Sequence, residues 1–209
     1  MSREFYDKYW KGQEEGRIEL RHRLALGLIG EGKSVLEIGC GDGTFSRMLI
    51  KKNCRVTGLD ISGKAVEKAR RRGVNAAVCN VEHELNEMAK GKFDVVVCLD
   101  LIEHLFEPRI FLENVKRFIR PGGCMVVTYG NALYWKDRLS ILLGRMPDRN
   151  MYKMGQHLHY WGYFSFKRFL HDSGFEVREE RLNMSPLGNV LPFRNWFVYA
   201  GAYRCVPVK

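Results

Sequence analysis

A glycine-rich turn between an apolar run and an amphipathic run constrains the fold of this chain more than any other feature. Residues 35–38 form a short apolar run, which predicts a buried strand. Gly39, Gly41 and Gly43 follow at alternate positions, and an amphipathic run with helical spacing comes next. Glycines allow a tight turn and let a ligand approach the backbone closely. Strand, turn and helix together predict the first half of a nucleotide-binding βαβ unit.

The glycine spacing and two nearby carboxylates indicate what kind of ligand this turn would accept. A dinucleotide fingerprint requires Gly-x-Gly-x-x-Gly, but the two positions that could hold the third glycine are Thr44 and Ser46. Glu37 precedes the turn and Asp42 lies within it, so a pyrophosphate would be repelled. The turn therefore favours a ligand that carries positive charge and no phosphate.

The stretch Glu37-x-Gly39-x-Gly41-x-Gly43 resembles the cofactor loop of the seven-stranded, Rossmann-like S-adenosylmethionine-dependent methyltransferases. S-adenosylmethionine has an adenosine, an ammonium and a sulfonium, and its product is S-adenosylhomocysteine. The resemblance implies an α/β fold with a Rossmann-like, doubly wound seven-stranded sheet, mostly parallel with an antiparallel last strand, and an N-terminal helical lid. An ordinary glycine turn in another α/β protein, including a nicotinamide oxidoreductase, is the alternative.

Strand ends supply the other predicted cofactor contacts. Asp60 ends the second predicted strand, residues 55–60, where a carboxylate can accept hydrogen bonds from a ribose diol; it could instead cap the next helix. Asn80 follows the third strand, where the family often has an aspartate that binds the adenine amino group, and Glu82 is a possible substitute. The predicted cofactor-binding residues are Glu37, Gly39, Cys40, Gly41, Gly43, Asp60, Ile61, Asn80, Val81, Leu99 and Tyr9.

A continuous apolar run, residues 93–99, predicts the central strand and leads into the candidate catalytic residues. Together with Asp100-x-x-Glu103-His104 it resembles the fourth-strand motif of these methyltransferases. His104 is the candidate general base, or it holds the start of the next helix by a hydrogen bond. Asp100, Glu103 and His104 also resemble a metal-binding element of some quinone-pathway and small-RNA methyltransferases. Because no second ligand cluster is evident in the sequence, we expect no metal.

Two segments are expected to cover the site. Residues 1–30 begin with aromatic side chains at helical spacing and resemble the opening Tyr-Asp-x-Tyr-Trp segment of many small-molecule methyltransferases, so they predict a lid or simply a helix docked on the sheet. Residues 130–164 interrupt the strand–helix alternation and predict a substrate-covering insertion or a short helix that caps the core. The predicted substrate residues are Tyr129, Arg138, His157, His159 and Tyr160.

Part of this insertion resembles a second family. Asn131, Trp135 and Arg138, together with residues 144–147, match the corresponding segment of the MetW family, which is linked to methionine biosynthesis. The sequence after strand four departs from that family. The resemblance therefore implies a MetW-like lid, and it leaves open a non-catalytic or regulatory partner protein as an alternative function.

The C-terminal part predicts the remaining strands. A tight turn at residues 121–123 precedes strand five at residues 124–129. Residues 194–203 predict an aromatic final strand that lies antiparallel beside the sixth.

Composition sets the remaining limits. The 209 residues suit one domain, 1–209, and no apolar run approaches the length of a membrane span. Six scattered cysteines without a Cys-x-x-Cys pair predict reduced packing residues in the cytoplasm. The net charge of +10 is typical of a basic solvated surface, or of a protein with an anionic partner. Since no nucleic-acid module is present, we expect a small-molecule or lipid-like acceptor, with an anionic acceptor as the second interpretation of the charge.

Overall fold

The structure, a computed structural model, describes residues 2–13, 15–147, 157–184 and 194–208. Seven strands form a single sheet in this part of the chain. They are β1 (Ser34–Ile38), β2 (Arg55–Asp60), β3 (Asn75–Val78), β4 (Phe93–Cys98), β5 (Ile119–Gly130), β6 (Phe175–Met184) and β7 (Val198–Pro207).

The sheet has the order β3-β2-β1-β4-β5-β7-β6. Strands β1 to β5 pair in parallel, and β7 lies antiparallel between β5 and β6. The predicted Rossmann-like sheet, mostly parallel with an antiparallel last strand, is confirmed. The strand order reverses between β1 and β4, and ligands of open α/β sheets bind in the crevice at such a switch point.

Helices cover both faces of the sheet. Successive side chains of a strand point to opposite faces, so Val35 belongs to a core cluster with side chains from the helices at residues 20–26 and 44–50. Leu36 belongs to the other large cluster, with side chains from the helices at residues 108–116 and 163–172. The helices are α1 (Arg3–Lys11), α2 (Leu20–Leu26), α3 (Thr44–Ile50), α4 (Gly63–Arg71), α5 (Leu85–Met88), α6 (Pro108–Lys116), α7 (Trp135–Leu142), α8 (Tyr163–Asp172) and α9 (Arg194–Phe197), with a 3₁₀ turn at Ile102–His104.

Two strand boundaries differ from the sequence prediction. Residues 194–197, predicted as strand, form the short helix α9, and β7 continues to Pro207. β5 begins at Ile119, because residues 120–123 bulge between the pairs Phe93–Ile119 and Val95–Cys124. The predicted turn at residues 121–123 is thus an irregularity inside a longer strand, with Gly122 at a φ of +78°.

The six cysteines are all buried free thiols, as the sequence predicted. Burial raises the pKa of the Cys79 thiol to about 12. Among the described residues, no helix has the length and apolar character that crossing a membrane requires.

Candidate functional site

The loop after β1 depends on glycine for its backbone conformation. Gly39, Gly41 and Gly43 have φ values of +77°, +53° and +76°, which side-chain-bearing residues rarely adopt. A Cβ on Gly41 would also lie 2.6 Å from the ring of Trp10. The loop turns back onto the end of β2, where the amide of Gly39 donates to the Leu59 carbonyl at 2.7 Å. The turn therefore brings Gly39, which is half-buried, to the switch point of the sheet, whereas Gly41 and Gly43 are buried.

Asp60 fixes this loop from the neighbouring strand. Its two carboxylate oxygens accept hydrogen bonds from the amides of Gly41, at 2.8 Å, and Ser62, at 2.9 Å. Ser62 itself caps α4 by accepting from the Ala65 amide, so Asp60 is not needed as the cap. Burial raises the pKa of Asp60 to about 6, although both backbone hydrogen bonds oppose the shift. Each oxygen has further acceptor capacity for a ligand hydroxyl.

A cavity of about 390 Å³ opens at the carboxyl ends of the central strands. This volume is in the range of small-molecule and cofactor sites. Ten of the predicted site residues line it: Tyr9, Gly39, Asp60, Ile61, Asn80, Val81, Leu99, His104, Tyr129 and His157. Seven others do not line this cavity: Glu37, Cys40, Gly41, Gly43, Arg138, His159 and Tyr160.

Glu37 and Asp42, the two carboxylates that were expected to repel a pyrophosphate, do not line the cavity. Glu37 is buried beneath the loop, where its carboxyl accepts a hydrogen bond from the Ser46 hydroxyl of α3. Burial raises the pKa of Glu37 to about 8. Asp42 accepts from the Thr44 amide and forms an ion pair with Arg72 at 3.5 Å. Their positions indicate that these side chains build the loop rather than contact a ligand.

Two other predicted cofactor residues, Cys40 and Gly43, face the protein interior. The Cys40 sulfur lies 2.9 Å from the position of a Cβ on Gly58 in β2. A Cβ on Gly43 would lie 3.0 Å from Ala69 and 2.9 Å from Val74. Close packing of α3 against α4 therefore requires glycine at position 43.

A charged network that the sequence analysis missed lines one wall. Arg21 donates to Asp100 at 3.0 Å and to Glu19 at 2.6 Å. Asp100 has an unusual φ of +45°, and the Thr128 hydroxyl donates to its carboxylate at 2.6 Å. Arg21 is the only lysine or arginine among the described residues that line the cavity. Acidic residues are more numerous there: Glu19, Asp60, Glu82, Asp100 and Glu103.

Helix α1 contributes aromatic side chains to the cavity wall, and its role as a lid stays a prediction. Tyr6, Tyr9 and Trp10 line the cavity from this helix. Asp7 on the opposite side accepts from the Ser62 hydroxyl at 2.6 Å and from the Lys64 amide at 3.0 Å, at the start of α4. These hydrogen bonds lower the pKa of Asp7. Polar contacts thus hold α1 in part, and none of its described residues is fully buried.

Asn80 and Glu82, the residues predicted to bind adenine, both have hydrogen-bond partners within the protein. The side-chain oxygen of Asn80 accepts from the Glu82 amide at 3.2 Å. Glu82 accepts from the Phe106 amide at 2.7 Å, which joins the end of β3 to the start of α6. Both residues line the cavity, so either can still meet a ligand with its remaining polar atoms.

Glu103, His104 and His157 form a cluster that also lines the cavity. The Glu103 carbonyl accepts from the Leu158 amide at 2.8 Å, and this contact brings residue 157 to the site. One ligand atom from each of the three side chains lies within 4.8 Å of the other two. The imidazole rings of His104 and His157 meet edge to face, with centroids 4.7 Å apart.

This cluster has the donor set of a divalent-cation site. The Oε2 atom of Glu103 is buried and has no hydrogen-bond partner among the described residues. Burial, reinforced by the Asp100 charge, raises the pKa of Glu103 to about 8. One carboxylate and two imidazoles suit a transition metal or zinc. The sequence analysis lacked a ligand outside residues 100–104, and His157 supplies it from a distant part of the chain.

The other predicted substrate residues have structural contacts. Arg138 lies over the Trp196 ring at 4.4 Å, and His159 contacts the Leu105 carbonyl at 2.9 Å. Tyr160 is half exposed, and Tyr129 uses its hydroxyl to accept from the Trp161 amide at 2.6 Å. Of the described part of residues 130–164, only Gly130 and His157 line the cavity, and the substrate-covering role of this insertion stays a prediction. Residues 148–156 lie outside the described residues.

Comparisons with known proteins agree with this arrangement. The model of a family described as "Methyltransferase domain" matches residues 9–180. A ubiquinone biosynthesis O-methyltransferase of Cronobacter sakazakii is 32% identical over 130 residues, which cover 56% of this chain and 53% of that protein. One of the same name from Bordetella avium is 26% identical over 178 residues, covering 82% of this chain and 69% of that protein. The chain thus spans about half the length of the first of these relatives.

Solved structures share the fold at low sequence identity. A methyltransferase from Haloferax volcanii, crystallised with its Trm112 activator, has a TM-score of 0.68 and 18% identity, with coverage of 99% of this chain and 96% of that chain. Magnesium protoporphyrin IX methyltransferase from Synechocystis PCC 6803, solved with bound S-adenosylhomocysteine, has a TM-score of 0.65 and 16% identity, with coverage of 98% and 94%. The resemblance of residues 131–147 to MetW stays a prediction.

Proposed function

The chain belongs to the methyltransferase-domain family, and from this premise we propose that it transfers a methyl group from S-adenosylmethionine to a small-molecule acceptor. One observation carries the proposal: the cavity at the switch point of the sheet combines the glycine loop and Asp60 with a wall rich in carboxylates. Such a wall attracts an ammonium and a sulfonium, and it would repel the pyrophosphate of a nicotinamide cofactor.

We assign the cofactor to the wall formed by Gly39, Asp60, Ile61, Asn80 and Val81, here called the cofactor side. Asp60 would accept from the ribose hydroxyls, and Ile61 and Val81 would pack on the adenine. Arg21 would bind the carboxylate of the methionine end, because no other lysine or arginine lines the described cavity wall. Asp100 and Glu19 would then face the ammonium.

The acceptor would occupy the opposite wall, here called the acceptor side, formed by Tyr6, Glu103, His104, Tyr129 and His157. The sulfonium supplies the reactivity of the methyl group when the cofactor is bound. The chain would hold the acceptor atom in line with the methyl group. It would also exclude water, with α1 as the lid. His104 would remove the proton from an acceptor hydroxyl or amine.

A second proposal for the same residues is that they bind a divalent cation. Glu103, His104 and His157 would hold it, and it would polarise an acceptor oxygen. Chelation distinguishes the two roles: if His104 acts as a base, activity survives prolonged dialysis against a chelator. Loss of activity that returns with one added metal would assign the cluster to the cation.

The acceptor proposed first is a small molecule with a hydroxyl group. The relatives from Cronobacter sakazakii and Bordetella avium are named for O-methylation in ubiquinone biosynthesis, which supports an oxygen acceptor with a lipid-like part. An anionic acceptor would match the net charge of +10. The cytoplasm stays the proposed compartment, because all six cysteines are free thiols.

Calorimetry with three ligands tests the proposal directly. We expect S-adenosylmethionine and S-adenosylhomocysteine to bind and NAD not to bind. Binding of NAD alone would reject the methyltransferase and favour an oxidoreductase. Cofactor binding without turnover of any hydroxyl acceptor in a broad panel would favour the non-catalytic, MetW-like partner instead.

A further inference from the structure

Asp100 and Thr128 hold each other by two hydrogen bonds where the central strands end. The last ladder pair between β4 and β5 is Cys98–Val127. Beyond it, the Asp100 amide donates to the Thr128 hydroxyl oxygen at 2.9 Å, and that hydroxyl donates to Asp100 Oδ1 at 2.6 Å. The φ of +45° at Asp100 is uncommon for a residue other than glycine. The buried Thr128 thus fixes both the backbone and the carboxylate of Asp100.

The second oxygen of the Asp100 carboxylate contacts Arg21. The Nη1 atom of Arg21 donates to Asp100 Oδ2 at 3.0 Å and to Glu19 Oε2 at 2.6 Å, so both of its hydrogens are used. Burial opposes the charge of Arg21, but the charges of Asp100 and Glu19 outweigh it and raise the pKa of the guanidinium. Two carboxylates on one nitrogen therefore restrict the rotation of the guanidinium.

The remaining donors of this guanidinium are available to a ligand. Among the described residues, neither Nε nor Nη2 of Arg21 donates a hydrogen bond. Arg21 lines the cavity with its side chain 31% exposed, so a ligand in the cavity can reach it. A carboxylate can accept from two guanidinium nitrogens at once, which fixes its direction and strengthens its binding.

We propose that Thr128 is a positioning residue for the cofactor: through Asp100 it orients Arg21, so that Nε and Nη2 face the carboxylate of the methionine end. This role rests on the proposed function, in which Arg21 binds that carboxylate. A hydroxyl is required at position 128, because one group must both accept from the Asp100 amide and donate to its carboxylate. Valine has a similar shape and does neither, whereas serine does both.

The contacts of Asp100 also separate it from the candidate cation cluster. The three side chains whose ligand atoms lie within 4.8 Å of one another are Glu103, His104 and His157, without Asp100. Each oxygen of Asp100 already accepts a hydrogen bond, one from Thr128 and one from Arg21. We therefore assign Asp100 to the cofactor side, although the sequence grouped it with Glu103 and His104.

Calorimetry with S-adenosylhomocysteine and methylthioadenosine tests the role of Thr128. We expect Thr128→Val to weaken S-adenosylhomocysteine by about five- to tenfold, the effect of losing one good hydrogen bond at the site. Methylthioadenosine lacks the carboxylate, so its affinity should stay within about twofold of wild type. Thr128→Ser should restore the binding of S-adenosylhomocysteine. If Thr128→Val does not fold, Thr128→Ala removes the same hydroxyl and gives the same comparison.

The matched control is Thr57→Val. Thr57 is a half-buried threonine of β2 that does not line the described cavity. The substitution makes the same chemical change in another strand of the same sheet, so this variant should bind both ligands like the wild type. Thermal unfolding of each variant verifies that it is folded.

A double variant tests whether Thr128 acts through Arg21. Thr128→Val combined with Arg21→Gln should bind S-adenosylhomocysteine as weakly as Arg21→Gln alone, because the group that Thr128 positions is already gone. Losses that multiply in the double variant would show an independent contact and overturn the positioning role.

Two further results would overturn this role. One is wild-type affinity of Thr128→Val for S-adenosylhomocysteine, and the other is equal weakening of both ligands by that substitution. In either case, binding of S-adenosylhomocysteine by the wild-type chain would leave the proposed function intact. A wild-type chain that binds neither ligand would instead reject the proposed function, and the role of Thr128 with it.

Discussion

The cofactor side of the cavity is fixed by hydrogen bonds to backbone amides, whereas the acceptor side is built by side chains from distant segments. On the cofactor side, Asp60 and the glycine loop are joined by hydrogen bonds between carboxylate oxygens and amides. On the acceptor side, Tyr6 comes from α1, His104 from the end of β4 and His157 from beyond α7. Backbone geometry on the cofactor side suits one ligand that never changes. Side chains can be exchanged without altering the fold, which suits a wall that selects the acceptor.

If the two sides act separately, removing His104 should leave the cofactor side intact. We expect His104→Ala to lower turnover by about 10²- to 10⁴-fold, the usual contribution of a general base. The dissociation constant of S-adenosylhomocysteine should stay within about twofold, because the ring lies on the acceptor side. His171→Ala is the control, since His171 is exposed in α8. Full activity of His104→Ala would remove it as the base.

The glycine loop should tolerate substitution less than a glycine just after α7. Gly43→Ala adds a Cβ at positive φ that meets Ala69 and Val74, and we expect it to lower the free energy of unfolding by about 2–4 kcal/mol. Gly144→Ala has a similar φ of +71° but no atom within 4 Å, so strain alone should cost about 1 kcal/mol. Urea denaturation measures both, and equal losses would contradict a tightly packed loop.

Two substitutions should distinguish the contact with the ribose from the contact with the methionine end of the cofactor. Asp60→Asn should weaken both S-adenosylhomocysteine and methylthioadenosine by over tenfold, because a charge-assisted hydrogen bond contributes about 1.5–3 kcal/mol. Arg21→Gln should weaken only S-adenosylhomocysteine, since methylthioadenosine lacks the carboxylate. Calorimetry with the two ligands gives the result. Equal weakening of both ligands by Arg21→Gln would contradict its assignment to the methionine end.

We also expect a pH dependence of stability that originates beneath the loop. Burial raises the pKa of Glu37 from 4.5 to about 8, so the folded chain holds a proton that the unfolded chain releases. Stability without ligand should therefore fall as pH rises from about 5 to 8, by up to about 1.4 kcal/mol per pH unit for one such group.

Glu37→Gln should make this fall shallower without abolishing it. Asp60 and Glu103 contribute with the same sign, because burial raises the pKa of each carboxyl. Thermal unfolding at a series of pH values measures the slope. Glu113→Gln, at an exposed position of α6, serves as the control and should keep the wild-type slope. A wild-type slope in Glu37→Gln would show that Glu37 is ionised in the folded chain.

The alternation of apolar runs and glycine turns predicted most of the fold, because strand period, glycine conformation and strand ends are local properties. The parallel strands and the position of Asp60 follow from such signals, whereas the antiparallel final strand was implied by the family resemblance. Glu37 shows the limit of this reasoning. Its place before the turn suggested a ligand contact, but the alternation of side chains along β1 directs it beneath the loop.

The sequence alone determined that a glycine loop and an acidic strand end meet at one edge of a parallel sheet, since both signals lie within residues 34–60. Only the tertiary structure decided which side chains share the cavity with the glycine loop and Asp60. Arg21 pairs with Asp100, and His157 joins Glu103 and His104, across long separations in the chain. Such contacts depend on how whole elements pack, and no periodicity in the sequence encodes which distant side chains will share a cavity.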